Sequence, residues 1–109
     1  MPISPRIARA ITRLIAGDDA IERVDRMKFN DLGHGFDAFG LHPDFIGFGE
    51  AITSTLYDKY FRVRSYNHHH IPTSGPAIIA CNHSGTLPVD GMMLWADIWR
   101  HTEPPRAAR

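Results

Sequence analysis

Ala77-Ile78-Ile79-Ala80-Cys81 is a continuous apolar run of strand length, entered through the turn-forming Pro72-Thr73-Ser74-Gly75-Pro76 and left through polar Asn82. Such a run reads as a buried strand, because a strand covered on both faces has no polar side to show. Ahead of it, Phe61-Arg62-Val63-Arg64-Ser65-Tyr66 alternates apolar with polar residues, the pattern of an outer strand. Behind it, Val89 to His101 carries Met92, Met93, Leu94, Trp95, Ile98 and Trp99, enough apolar surface for a helix covered on more than one side. Glu103-Pro104-Pro105 stops that helix. A buried strand followed by a covering helix is the first half of a parallel crossover, which normally delivers a second parallel strand. The expectation is an α/β fold in which that strand would begin near Arg106-Ala107-Ala108-Arg109, so that the chain is the N-terminal part of a larger domain.

The first half reads as helical. Ser4 followed by Pro5 supplies a cap and a first helical position. Ile7, Ile11, Leu14 and Ile15 then recur at helical spacing while Arg6, Arg9 and Arg13 fall elsewhere around the wheel, so residues 4–16 form a basic amphipathic helix that Gly17 ends. Asp18 or Asp19 caps a more polar helix over about 19–28, with Ile21, Val24 and Met27 as its apolar edge. Residues 29–44, with Gly33, Gly35, Gly40 and Pro43, form an irregular connector. From Pro43 to about Tyr60, Phe45, Phe48, Ile52, Leu56 and Tyr60 recur at steps of three or four and mark a further amphipathic helix.

A chain of 109 residues holds one small domain. Twelve Lys and Arg balance twelve Asp and Glu, which removes the strongly basic signature of a nucleic-acid binder. The single cysteine cannot form an internal disulfide, so a reducing compartment is expected. No apolar run approaches the roughly 18–20 residues that cross a bilayer. The helix at 4–16 has two readings: its isoleucine face packs on the protein, or it lies among lipid headgroups with its arginines near anionic phosphates.

Chemistry concentrates in Asn82-His83-Ser84-Gly85-Thr86-Leu87-Pro88-Val89-Asp90, which puts a histidine at the end of the expected strand and an aspartate near the start of the next helix. Open α/β sheets bind ligands along that rim. A short loop can fold Asp90 back onto the His83 imidazole, fixing its tautomer and stabilising the imidazolium while the other nitrogen removes a proton. Such a pair is a general base for a hydroxyl, typically contributing ~10²–10⁴-fold.

These residues resemble the glycerolipid acyltransferases typified by 1-acylglycerol-3-phosphate acyltransferase. The likeness rests on Tyr60-Phe61-Arg62-Val63, the Ile71-Pro72 turn, Gly75-Pro76 leading into Ala77–Cys81, and Asn82-His83-Ser84 with a following aspartate. It runs over about residues 37–109, so that 1–36 hold the amphipathic helices and connector, and 37–109 the first part of an acyltransferase domain incomplete at its C-terminal side. The resemblance implies transfer of a fatty acyl group from coenzyme A or acyl carrier protein to a glycerolipid hydroxyl in phospholipid biosynthesis, without metal or cofactor. His83 would be the base and Asp90 would orient it; Ser84, Gly85 and Thr86 would contact substrate, with backbone amides near Gly85 and Thr86 as oxyanion donors. The enzyme would sit peripherally on the cytoplasmic side of the membrane. The family commonly places four residues between the pair where Ser84 to Val89 supplies six, a wider form similar to bacterial lysophospholipid or diacylglycerol acyltransferase-like proteins. The family's later blocks, a Gly-rich acceptor segment and a phosphate-binding arginine, would lie beyond residue 109, which implies that this chain alone is inactive.

Two other classes of function are weighed against this one: a non-catalytic lipid- or partner-binding fragment, and a small metal-binding module built on His68-His69-His70. Consecutive residues of an extended segment alternate sides, so the three histidines read better as a solvated loop. Cys81 reads as an inert core thiol. Asp97 and His101, four apart on one helical face, read as a surface pair. Trp95, Trp99 and the methionines read as core.

Overall fold

A computed structural model describes residues 3–38, 40–83, 85 and 87–108. Among them every regular element is helical. The first, α1, spans Pro5–Arg26. The Ser4 hydroxyl accepts the Ile7 N–H at 3.3 Å, and Pro5 stands where its missing N–H costs nothing. Gly17, at φ 80° and ψ −176°, interrupts the helical path and divides α1 into two arms. That conformation suits a residue without Cβ, and a Cβ there would meet nothing within 4 Å, so the requirement is backbone freedom and not space. Ala8 and Thr12 of the first arm and Ile21 and Val24 of the second are buried.

The second helix, α2, spans Pro43–Thr55 and is capped by the His42 imidazole, whose Nδ1 accepts the Asp44 N–H at 3.1 Å. It widens into a π-helical turn over Leu56–Tyr60. Its buried face is Ile46, Gly47, Glu50, Ala51, Thr53 and Tyr57, whereas Ile52 and Tyr60 of the expected apolar stripe are exposed. The small residues decide this orientation. A Cβ at Gly47 would lie 2.5 Å from Cγ2 of Val24, so α1 approaches α2 at a distance only glycine permits. The third helix, α3, spans Val89–His101 and packs on α2. Val24, Ile46 and Trp99 form one core cluster and Tyr57, Met93 and Ala96 another. Leu41 and Trp95 pack against the first.

Polar clamps join these helices. Arg9 of α1 donates to both carboxylate oxygens of Asp25, at 2.9 and 2.8 Å, and to Asp44 of α2 at 3.1 Å. Its hydrogen bonds draw the Asp25 carboxyl below the usual carboxylate range. Arg23 donates to the carbonyls of Trp99 and Thr102, satisfying the open C-terminal end of α3.

The α/β expectation does not hold. Residues 61–66 and 77–81 form no strand and pair with no other segment among the described residues. The alternation at 61–66 is overridden by the end of the π turn, where Phe61 N–H goes to Leu56 O at 2.8 Å and Val63 N–H to Tyr57 O at 2.9 Å. Arg62 at φ 49° and Asn67 at φ 59° bend the chain at both ends of the stretch. The run 77–81 is strand-like in sequence character only, with no strand formed. Ile78 is 98% exposed and Cys81 is exposed too, so neither the buried strand nor the core thiol is present. A strand is defined by the ladder that takes up its N–H and C=O groups, and no described segment supplies one here.

Candidate functional site

His83 lies at the end of the 77–83 segment and Asp90 in the first turn of α3, and the structure brings them together. The imidazole Nδ1 is 2.8 Å from Oδ1 and 2.7 Å from Oδ2 of Asp90. An ionised carboxylate only accepts, so Nδ1 carries the hydrogen and the lone pair of a neutral ring resides on Nε2. Oδ1 also accepts the Gly91 N–H at 2.8 Å, which fixes the carboxylate against the helix start. The two side chains are 49% and 45% exposed, so the pair is open to a solvent-borne reactant. Gly85, between them, takes φ 92° and is exposed. Ser84 and Thr86 lie outside the described residues.

An apolar groove of about 680 Å³ begins beside this pair at Gly91 and runs between α3 and residues 71–79, past Ile79, Leu94 and Trp95, to Arg106. Arg106 donates at 2.7 Å to the carbonyls of Pro72 and Gly75, holding the far wall in place.

A second histidine and aspartate meet elsewhere. Asp97 and His101 stand in a half-buried cluster and not on the open surface: Asp97 accepts from the Tyr57 hydroxyl and from Ser65 at 2.9 Å, and His101 Nδ1 is 3.2 Å from Oδ1. Burial, then the bond to Asp97, pushes the Tyr57 phenol up to about 12. His68 stacks on His101 with ring centroids 3.9 Å apart, while His69 and His70 stay exposed. Among the described residues no three His, Cys, Asp or Glu side chains converge as a metal-ligand set.

Glu50 was not singled out by the sequence. It is 5% exposed, and burial pushes its carboxyl up to about 8 against the Ser54 hydrogen bond and the fields of Arg100 and Arg23. The available signal was its position four residues after Ile46 and one before Ala51, inside the small-residue face of α2.

Residues 62–108, a stretch that includes His83, Asp90 and α3, match the acyltransferase family. Uncharacterized proteins of Mycobacterium tuberculosis and Mycobacterium bovis are 37% identical to the chain over 73 residues, covering 63% of it and 19% of their own length. An uncharacterized protein of Mycobacterium leprae is 34% identical over 73 residues, 18% of its length. The chain thus spans less than a fifth of these relatives. No solved structure matches.

Proposed function

We propose that the His83–Asp90 pair serves acyl transfer from an acyl thioester, carried on coenzyme A or acyl carrier protein, to the hydroxyl of a glycerolipid such as a lysophospholipid. The reading is carried by the 2.7 Å contact between Nδ1 and the carboxylate, within a stretch that matches the acyltransferase family. In this scheme Nε2 of His83 takes the proton of the acceptor hydroxyl as its oxygen attacks the thioester carbonyl carbon. Asp90 stabilises the imidazolium. Collapse of the tetrahedral intermediate breaks the C–S bond, and the imidazolium returns the proton to the departing thiolate. Backbone amides near Gly85 would face the oxyanion. The groove beside Gly91 offers apolar walls to an acyl chain. The reaction draws on no metal or cofactor; the thioester is a substrate.

The acceptor lives in a bilayer, and peripheral contact on the cytoplasmic side is part of the proposal. No helix among the described residues is long and apolar enough to cross a membrane. The first arm of α1 leaves Ile7, Leu14 and Ile15 exposed, Leu14 at 86%, beside exposed Arg6 and Arg13. Such an arm suits an anionic surface. Salt-sensitive sedimentation with phosphatidylserine vesicles, lost in Leu14→Glu, is expected; salt-independent or absent binding would remove the membrane contact.

The central test is release of labelled acyl groups from acyl-CoA onto lysophosphatidate. Made in the complete enzyme, His83→Ala should lower transfer at least ~10²-fold with helical circular dichroism unchanged. Full transfer by that variant would remove His83 from the chemistry. Because the chain spans less than a fifth of its relatives, a second reading is a lipid-binding unit without turnover, recognised by vesicle binding with no transfer.

A further inference from the structure

A cavity of about 300 Å³ opens between the second arm of α1, α2 and the end of α3, sharing no residue with the His83–Asp90 pair. At roughly ten times the ~30 Å³ share of one water, it has room for a small organic molecule. Glu50 forms part of its wall. The Ser54 hydroxyl donates to Oε1 at 2.8 Å, but the buried Oε2 has no hydrogen-bond partner among the described residues. A buried polar atom without a partner is a cost to the fold, and a small turn of the Glu50 side chain toward a ligand in the adjoining space would relieve it.

The charged groups at the rim narrow the ligand. Arg23 is already committed to the carbonyls of Trp99 and Thr102 and to Glu103, and Arg100 to both oxygens of Asp58. An anion would find no free guanidinium and would face Asp19 and Glu50. A cation would sit between two guanidinium groups. A neutral molecule escapes both penalties. With its proton retained at neutral pH, the Glu50 carboxyl donates through one oxygen and accepts through the other, as a hydroxyl does. Val24, Ala51 and the Trp99 ring give the remaining wall an apolar character suited to C–H groups.

We infer that this cavity is a binding site for a small neutral polyhydroxyl compound of glycerol size, held by hydroxyl hydrogen bonds to Glu50 and Ser54. The inference does not depend on the acyl-transfer reading.

The test is titration of the ¹⁵N-labelled chain with glycerol at constant near-neutral pH, following the amides of Gly47 and Ala51 and the Trp99 indole. Saturating shifts confined to these groups are expected. Glu50→Leu should weaken apparent affinity at least about tenfold, while Glu50→Gln, which keeps a donor and an acceptor, should retain it. Ala20→Leu, which fills the cavity from α1, should also abolish saturation and serves if Glu50→Leu does not fold. Shifts that stay linear with glycerol, undiminished affinity in Glu50→Leu, saturation that survives in Ala20→Leu, or saturation by methylammonium or phosphate in place of glycerol would each overturn the site.

Discussion

Replacing Glu50 with Gln should make folding stability less sensitive to pH between the ordinary glutamate range and mild alkali. In the unfolded chain Glu50 ionises near 4.5, whereas burial in the native protein raises it to about 8. Between those values the native state holds a proton that the unfolded state has released. Stability from this group is therefore fully present below 4.5 and falls by about 1.36 kcal/mol per pH unit as pH rises toward 8. Over the whole interval the loss reaches a ceiling of about 5 kcal/mol, comparable with the total stability of a small domain. Gln carries no charge at any of these pH values and imitates the protonated acid in size and hydrogen bonding. Urea denaturation followed by fluorescence of buried Trp99, at intervals from pH 5 to 8, measures the difference. The wild type should match the variant near pH 5 and fall several kcal/mol below it by pH 8. Curves that stay parallel within about 0.5 kcal/mol, the additivity error of such comparisons, would show that Glu50 is ionised in the native protein and that the burial argument is wrong.

Two further substitutions probe the packing. Gly47→Ala places a Cβ 2.5 Å from the Val24 side chain and should cost about 1–3 kcal/mol, read as a lowered Tm; an unchanged Tm would mean that α1 and α2 separate freely. Tyr57→Phe removes the hydroxyl that donates to Asp97 and should cost about 1–3 kcal/mol by denaturant titration, with a neutral result showing that Ser65 and His101 satisfy Asp97 unaided.

Features set by neighbours in the chain were legible beforehand. Ser4 and Pro5 start α1, Gly17 breaks it, and Val89 and His101 bound α3, because capping, backbone freedom and helical periodicity are properties of short windows. That residues 61–66 and 77–81 form no strand was not legible, since a strand needs a partner and apolar or alternating character alone does not supply one. The orientation of α2 was misread for a different reason. Phe45, Phe48 and Ile52 dominate any hydrophobic tally, yet close approach to α1 is decided by the small side chains of Gly47 and Ala51, which carry Glu50 inward with them. At the candidate site, His83 and Asp90 could be named from the sequence because they are seven residues apart, whereas Tyr57 and Asp97 meet across forty.

That difference in separation also bears on assembly. Bringing the ends of a flexible segment together costs roughly (3/2)RT ln n, so the span from Tyr57 to Asp97 is about 1.5 kcal/mol dearer to close than the arc from His83 to Asp90. The imidazole therefore encounters its carboxylate roughly ten times as often in the unfolded ensemble. An arc this short can bring its two ends into register with little help from distant parts of the chain.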